Sequence, residues 1–102
     1  MSAPIFLKTE NQLNKVLRNQ KKTGDELGVL FVSTWDEHCN KLVEELKDSY
    51  SSKKPLYVVN SFSMPHAFVI FNTTKVPHLV KLKKDKVQSE DYLPRVYKAL
   101  GV

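Results

Sequence analysis

Gly28-Val29-Leu30-Phe31-Val32-Ser33-Thr34-Trp35-Asp36-Glu37-His38-Cys39 is the stretch whose reading decides the fold. Val29 to Val32 is a continuous apolar run with no polar alternation, the pattern of a strand buried on both faces of a sheet. Behind it, Cys39, Leu42, Val43, Leu46 and Tyr50 recur at i, i+3, i+4, i+7 and i+11, one apolar stripe along a helix. Glu37–Lys41 and Lys41–Glu45 are opposite-charge pairs at i,i+4 on the other side of that helix. A buried strand therefore runs into an amphipathic helix, with Trp35 at the turn and Asp36, a strong N-cap residue, at the helix start.

Further elements follow on both sides. Upstream, Ile5-Phe6-Leu7 is a short strand, and Thr9-Glu10-Asn11-Gln12 fits a capping box that opens a helix running to about Asn19 or Gln20. Lys21 to Leu27 reads as a polar loop. Downstream, Ser51-Ser52-Lys53-Lys54-Pro55 breaks the helical pattern, and Leu56-Tyr57-Val58-Val59 is a third strand. Ser63 to Phe71 suits a strand or a short helix. The helix is favoured, capped by Ser63 with Pro65 in its first turn, because the connection onward to the next strand then works. Asn72-Thr73-Thr74 is a turn, His78 to Leu82 a strand, and Lys83-Lys84-Asp85-Lys86 polar turn chemistry. Asp91 is predicted to cap a last helix with Pro94 in its first turn and Leu93, Val96, Tyr97 and Leu100 facing inward. The order βαβαβαβ, one further short strand and a final helix predicts an α/β sandwich around a mixed sheet.

A chain of 102 residues is expected to form one domain, 1–102, around one core. Its apolar fraction of 41% and charged fraction of 26% place it among ordinary globular proteins. The longest apolar run, Ala67 to Phe71, is too short to span a bilayer, and the N-terminal residues lack the features of a secretory signal. One cysteine leaves no internal disulfide and fits a cytoplasmic or other reducing intracellular compartment. The formal charge of +5 comes mostly from scattered lysines. Only Lys81, Lys83, Lys84 and Lys86 cluster, at a strand end, where solvated turn lysines are the favoured reading over a nucleic-acid footprint. Phe62, Phe68 and Phe71 fall in a core-like run rather than on an exposed stacking platform. No nucleic-acid or membrane partner is expected, and a monomer is favoured.

A strand ending in Trp35, a cysteine four residues later and a later Val76-Pro77 opening a strand resemble the thioredoxin family over nearly the whole chain. The resemblance implies a three-layer sandwich, with a central mixed sheet of four to five strands, helices on both faces, and a site at the start of the second helix. It also implies a cis bond at Pro77 beside that site. In thioredoxins a Cys-x-x-Cys pair follows the Trp; here the four residues are Asp36-Glu37-His38-Cys39. The family's buried acid, five residues before the Trp, is Leu30, and its groove-forming glycine has no clear counterpart. The segment after Asp85 is shorter than usual, which predicts a stunted last strand.

Dithiol reduction needs one thiolate to attack and a second to resolve the mixed disulfide, so with Asp36 in the attacking position the cycle does not close. Cys39 has two readings. In the first turn of a helix it gains from the dipole as a thiolate; beside Asp36 and Glu37, at the head of a buried stripe, it behaves as a small hydrophobe. The second is favoured. His38, Cys39 and His78 could be imagined as metal ligands, but they lack the paired spacings of a zinc site. His66 adds nothing to them. With glycines far apart there is no phosphate loop, and no Ser-His-Asp arrangement stands out. No cofactor is expected. The leading functional reading is a non-catalytic protein-binding module whose surface comprises Trp35, Asp36, Glu37, His38, Val76, Pro77 and His78. The rival is a monothiol redox protein acting through Cys39.

Overall fold

The computed structural model describes residues 4–50, 54–83, 86–92 and 95–101. The strands are β1 (Ile5–Phe6), β2 (Leu27–Val32), β3 (Leu56–Asn60), β4 (His78–Lys83) and β5 (Lys86–Asp91). The helices are α1 (Glu10–Thr23), α2 (Glu37–Ser49), α3 (Pro65–Ile70) and α4 (Arg95–Leu100). The strands form one mixed sheet in the order β1-β3-β2-β4-β5. β1 and β2 flank β3 in parallel, while β4 runs antiparallel to both β2 and β5.

All six residues of β2 are buried, as the unbroken apolar run requires. Successive side chains point to opposite faces, and the packing divides accordingly. Leu27, Val29 and Phe31 join Val59, Val80 and Leu82 beneath α1 and α3, through Leu13, Ala67 and Phe68. Leu30 and Val32 join Val58 and Leu79 beneath α2 and α4, through Leu42, Leu46 and Val96. Two cores thus share one sheet, with helices on both faces.

Each helix has a readable start or stop. Thr9 Oγ1 accepts from the Gln12 amide at 3.2 Å while Gln12 Oε1 accepts from the Thr9 amide, also at 3.2 Å, which completes the capping box. α1 runs one turn past Gln20, to Thr23, so the segment from Lys21 is helical where a loop was expected. The reason is its stop: Gly24 takes the left-handed conformation (φ 71°), and its amide donates to the Gln20 carbonyl at 2.7 Å. Buried Gln20 ties down the same end through Nε2, which donates to the Asp25 carbonyl at 2.9 Å.

α3 forms with Pro65 in its first turn, but its N-cap is Met64, without a side-chain cap; the Ser63 hydroxyl points back to the Asn60 carbonyl. The last third differs more from expectation. Asp91 is not a helix cap: it pairs with Leu79 as the end of β5, which is six residues long rather than stunted. α4 begins at Arg95, with Val96 fully buried. The predicted roles of Leu93 and Pro94, like those of Ser51-Ser52-Lys53 and Lys84-Asp85, lie outside the described residues.

Phe31 is the pivot of the first core, fully buried and in ring contact with Phe68 at 5.1 Å and Phe71 at 5.2 Å. Phe31→Ala is expected to cost about 3–5 kcal/mol, read from the urea midpoint, against a total stability on the order of 5–15 kcal/mol.

Candidate functional site

The end of the sheet where β2 and β3 finish and β4 begins collects most of the residues singled out in the sequence. Phe31 pairs with His78 and Val32 with Asn60, so three turns rise side by side from that end. They are Ser33 to Asp36 after β2, Ser61 to Met64 after β3, and the approach to β4 through Val76 and Pro77. The Val76–Pro77 peptide bond is cis.

The first turn is held by its own polar side chains. The Trp35 amide donates to Ser33 Oγ at 3.3 Å, and the Asp36 amide to the Ser33 carbonyl at 3.1 Å. Asp36 Oδ1 then accepts from the amides of His38 (2.8 Å) and Cys39 (3.3 Å), an N-cap that satisfies two otherwise unpaired donors of α2. Asn40 reaches back from the helix through Nδ2 to the Thr34 carbonyl at 3.2 Å. With two amides on its oxygen and the positive end of the helix dipole behind it, the Asp36 carboxylate is committed to structure.

Cys39 lies under this turn, 1% exposed, packed with Leu42 and Leu46. Burial raises its thiol pKa above the ordinary value. A backbone hydrogen bond from Ser33 opposes that rise, and the Asp36 charge adds to it. Tyr97 of α4 is raised too, by burial first and then by the charges of Glu45 and Cys39. The thiol is therefore neither presented to solvent nor stabilised as a nucleophile.

Above it the exposure is reversed. Trp35 is 83% exposed, with Glu37 and His38 also in solvent. Val76 is half-buried and Pro77 buried, and the two form a groove of about 470 Å³ with Thr74, Lys75 and Tyr92. Phe62, 75% exposed, stands on the neighbouring turn, where its amide donates to Asn60 Oδ1 at 3.0 Å. Phe62 and Tyr92 are additions to the surface expected from sequence. The signal for Phe62 was Asn60-Ser61, an Asx-type turn that takes it out of the helical stripe of α3.

His78 is a correction in the other direction. It does not belong to the exposed surface, because it is fully buried beneath it. Its ring stacks between Tyr92 (4.4 Å, 6° between planes) and Phe31 (5.8 Å, 29°). Nδ1 lies 3.0 Å from Thr73 Oγ1, and Nε2 lies 3.1 Å from Glu90 Oε1. A carboxylate only accepts, so the ring donates from Nε2 to Glu90, and in the neutral imidazole the Thr73 hydroxyl donates to Nδ1. Both nitrogens are thus occupied. Its chain neighbour Pro77 is buried as well, and shares the groove with Tyr92, which stacks on the His78 ring. Among the described residues no three His, Cys, Asp or Glu side chains are grouped so as to hold a metal ion, and no helix is long and apolar enough to cross a membrane.

No protein-family model matches the sequence, and no curated protein is recognisably similar to it. Solved structures are similar in architecture. A thioredoxin from Nicotiana alata superimposes with a TM-score of 0.82 at 14% identity, covering 97% of this chain and 93% of its own. A Schistosoma mansoni thioredoxin gives 0.81 at 18% identity over 96% and 93%. Thioredoxin O2 from Arabidopsis thaliana, in its oxidized state, gives 0.76 at 22% over 97% and 95%. The chain has the thioredoxin fold, with a single cysteine where a dithiol would need two.

Asp36→Ala is expected to lower stability by about 0.5–2 kcal/mol in urea unfolding, with Asp36→Asn retaining most of it, since Asn caps nearly as well. Alkylation of native Cys39 is expected to lag far behind that of the unfolded chain, with a pH midpoint above the ordinary thiol range. The sign for stability follows: the unfolded thiol loses its proton first, so stability falls as pH rises beyond the unfolded thiol's pKa.

Proposed function

We propose that this chain is a non-catalytic protein-binding module that receives an extended peptide across the Trp35, Phe62 and Val76–Pro77 end of the sheet. The observation that carries this reading is the inversion of exposure across the first turn of α2, where the aromatic residue is 83% exposed and the thiol 1%. A redox site acting through this sulfur needs the thiol within reach of solvent. Exposed aromatic side chains beside a groove are the composition of interface anchors, which supply large contact area at low conformational cost. β4 begins only at His78, so the chain just before it can offer backbone groups to an added strand. Glu37 and His38 form the polar rim, and Asp36 holds the turn that presents Trp35. His78 acts from below as a positioning residue.

The rival, a monothiol using Cys39 in thiol exchange, finds no support in the burial of that sulfur or in the direction of its pKa shift. In this reading residues 1–102 act as one monomeric domain in a reducing intracellular compartment, without a cofactor.

Panning a random peptide library against the full chain tests the proposal, with enriched peptides then measured by calorimetry. Trp35→Ala and Phe62→Ala, both at exposed positions that leave the core intact, are each expected to weaken binding by about tenfold or more, while Cys39→Ala leaves it unchanged. Absence of any enriched peptide, or affinities indifferent to both aromatic substitutions, would remove the reading. Glutathione exchange abolished by Cys39→Ala would install the rival in its place.

A further inference from the structure

On the face of the sheet covered by α1 and α3, two apolar side chains have no role in the core. Among the described residues, the large apolar side chains most open to solvent after Trp35 and Phe62 are Val69 (74%) and Ile70 (60%), adjacent on α3. The inner side of that helix is apolar as well, through buried Ala67 and half-buried Phe68. Its six residues include no acid, lysine or arginine. A helix that is apolar all round is ordinarily covered on every side. Local structure does not call for these residues either, because β-branched side chains lower helix propensity and an exposed position is better served by Ala, Glu or Lys.

The neighbouring helix supplies charge of one sign. α1 packs on the same core as α3, through Leu13 and the half-buried Val16 and Leu17. The two helices are joined where Glu10 Oε1 accepts from the His66 amide at 3.0 Å. Glu10 is the one acid of α1, which also carries Lys15, Arg18, Lys21 and Lys22, all exposed. Leu17 lines a shallow groove with Asn14, Arg18 and Lys21. This sign is not a property of every face: α2, across the sheet, sets Glu37, Glu44, Glu45 and Asp48 against Lys41 and Lys47 and is net acidic. The α1–α3 face thus presents an uncovered apolar ridge beside a positive flank.

We infer that this face docks an amphipathic helix of a partner protein, with its apolar stripe against Val69 and Ile70 and an acidic side along α1. A pair of neighbouring helices offers ridges and grooves to a third, and it has no open strand edge for an extended segment to join. A second copy docking through the same face would set the cations of the two α1 helices against each other. Two β-branched residues on a helix of six give a lipid surface little to hold, since interfacial helices present long stripes with Trp, Phe or Leu. The face shares no residue with the Trp35 surface, and the inference stands whether or not that surface binds peptides.

The test titrates the isotopically labelled full chain with two designed helical peptides of about five turns, followed through backbone amide NMR shifts. The peptides share one leucine stripe; glutamates flank it in the first and lysines in the second. With the glutamate peptide, saturable shifts of the Leu17, Arg18, Val69 and Ile70 amides are expected, with a gain in helical circular dichroism on binding. The lysine peptide should bind at least about tenfold more weakly. Val69→Ser combined with Ile70→Ser, at exposed positions outside the core, should weaken the glutamate peptide by about tenfold or more. Arg18→Glu combined with Lys22→Glu should turn the preference toward the lysine peptide, an inversion that loss of fold does not produce. Equal affinity for the two peptides would overturn the inference, as would non-saturating shifts, shifts confined to the Trp35 turn, or binding unaffected by the serine pair. So would self-association of the chain, or sedimentation with phosphatidylserine vesicles, that the serine pair abolishes while the glutamate peptide fails to bind, since either assigns the face to a second copy or to lipid.

Discussion

Burial of β2 on both faces is the constraint on which the rest of the structure depends. A strand with no wet side must be covered twice and paired on both edges, and each of those demands fixes a neighbour. β3 and β4 supply the pairing, α1 and α3 the first cover, α2 and α4 the second. The parity of the strand then decides which core each side chain joins, so Leu30 and Phe31, adjacent in sequence, pack against different helices. A one-residue slip would exchange the two sets completely. The positions of the site turns are consequences: they emerge where β2 and β3 stop and β4 starts.

What occupies that end follows from a competition for the field at the start of α2. A helix N-terminus offers unpaired amides and a positive potential to whatever stands before it, thiolate or carboxylate. In this chain Asp36 takes both amides, and the sulfur at Cys39 is left one turn deeper among aliphatic side chains. The same electrostatics that would favour a nucleophile therefore stiffens a turn. The Trp35 turn is rigid at its base and bare at its tip, which is the condition for an aromatic contact residue to act at low entropic cost.

Much of this was legible in the sequence where one local signal acted alone. The capping box at Thr9 and Gln12, the Asp36 cap, the stripe from Cys39 to Leu46 and the proline in the first turn of α3 are short-range patterns with single physical causes. The fold class followed from their order. Legibility failed where long-range pairing overrode local preference. Asp91 is a good cap by composition, yet its backbone was claimed by Leu79 across the sheet. His78 carried the polarity of a surface residue, and only the partners Thr73 and Glu90, brought in from a loop and an edge strand, allow it to be buried. Phe62 looked like core because it precedes an apolar helix; a side-chain turn at Asn60 rotates it outward.

The solvent exposure of Trp35 has an optical corollary. It is the chain's one tryptophan and is already 83% in water in the native state, while the aromatic rings packed in the interior are phenylalanines, tyrosines and the imidazole of His78. Indole emission colour therefore has little distance to travel when the chain unfolds. A red-edge maximum in the folded protein would signal a native structure here, where in most small domains it signals the loss of one. The same indole would shift to the blue when covered, so its fluorescence reports occupancy of one end of the sheet rather than the integrity of the whole.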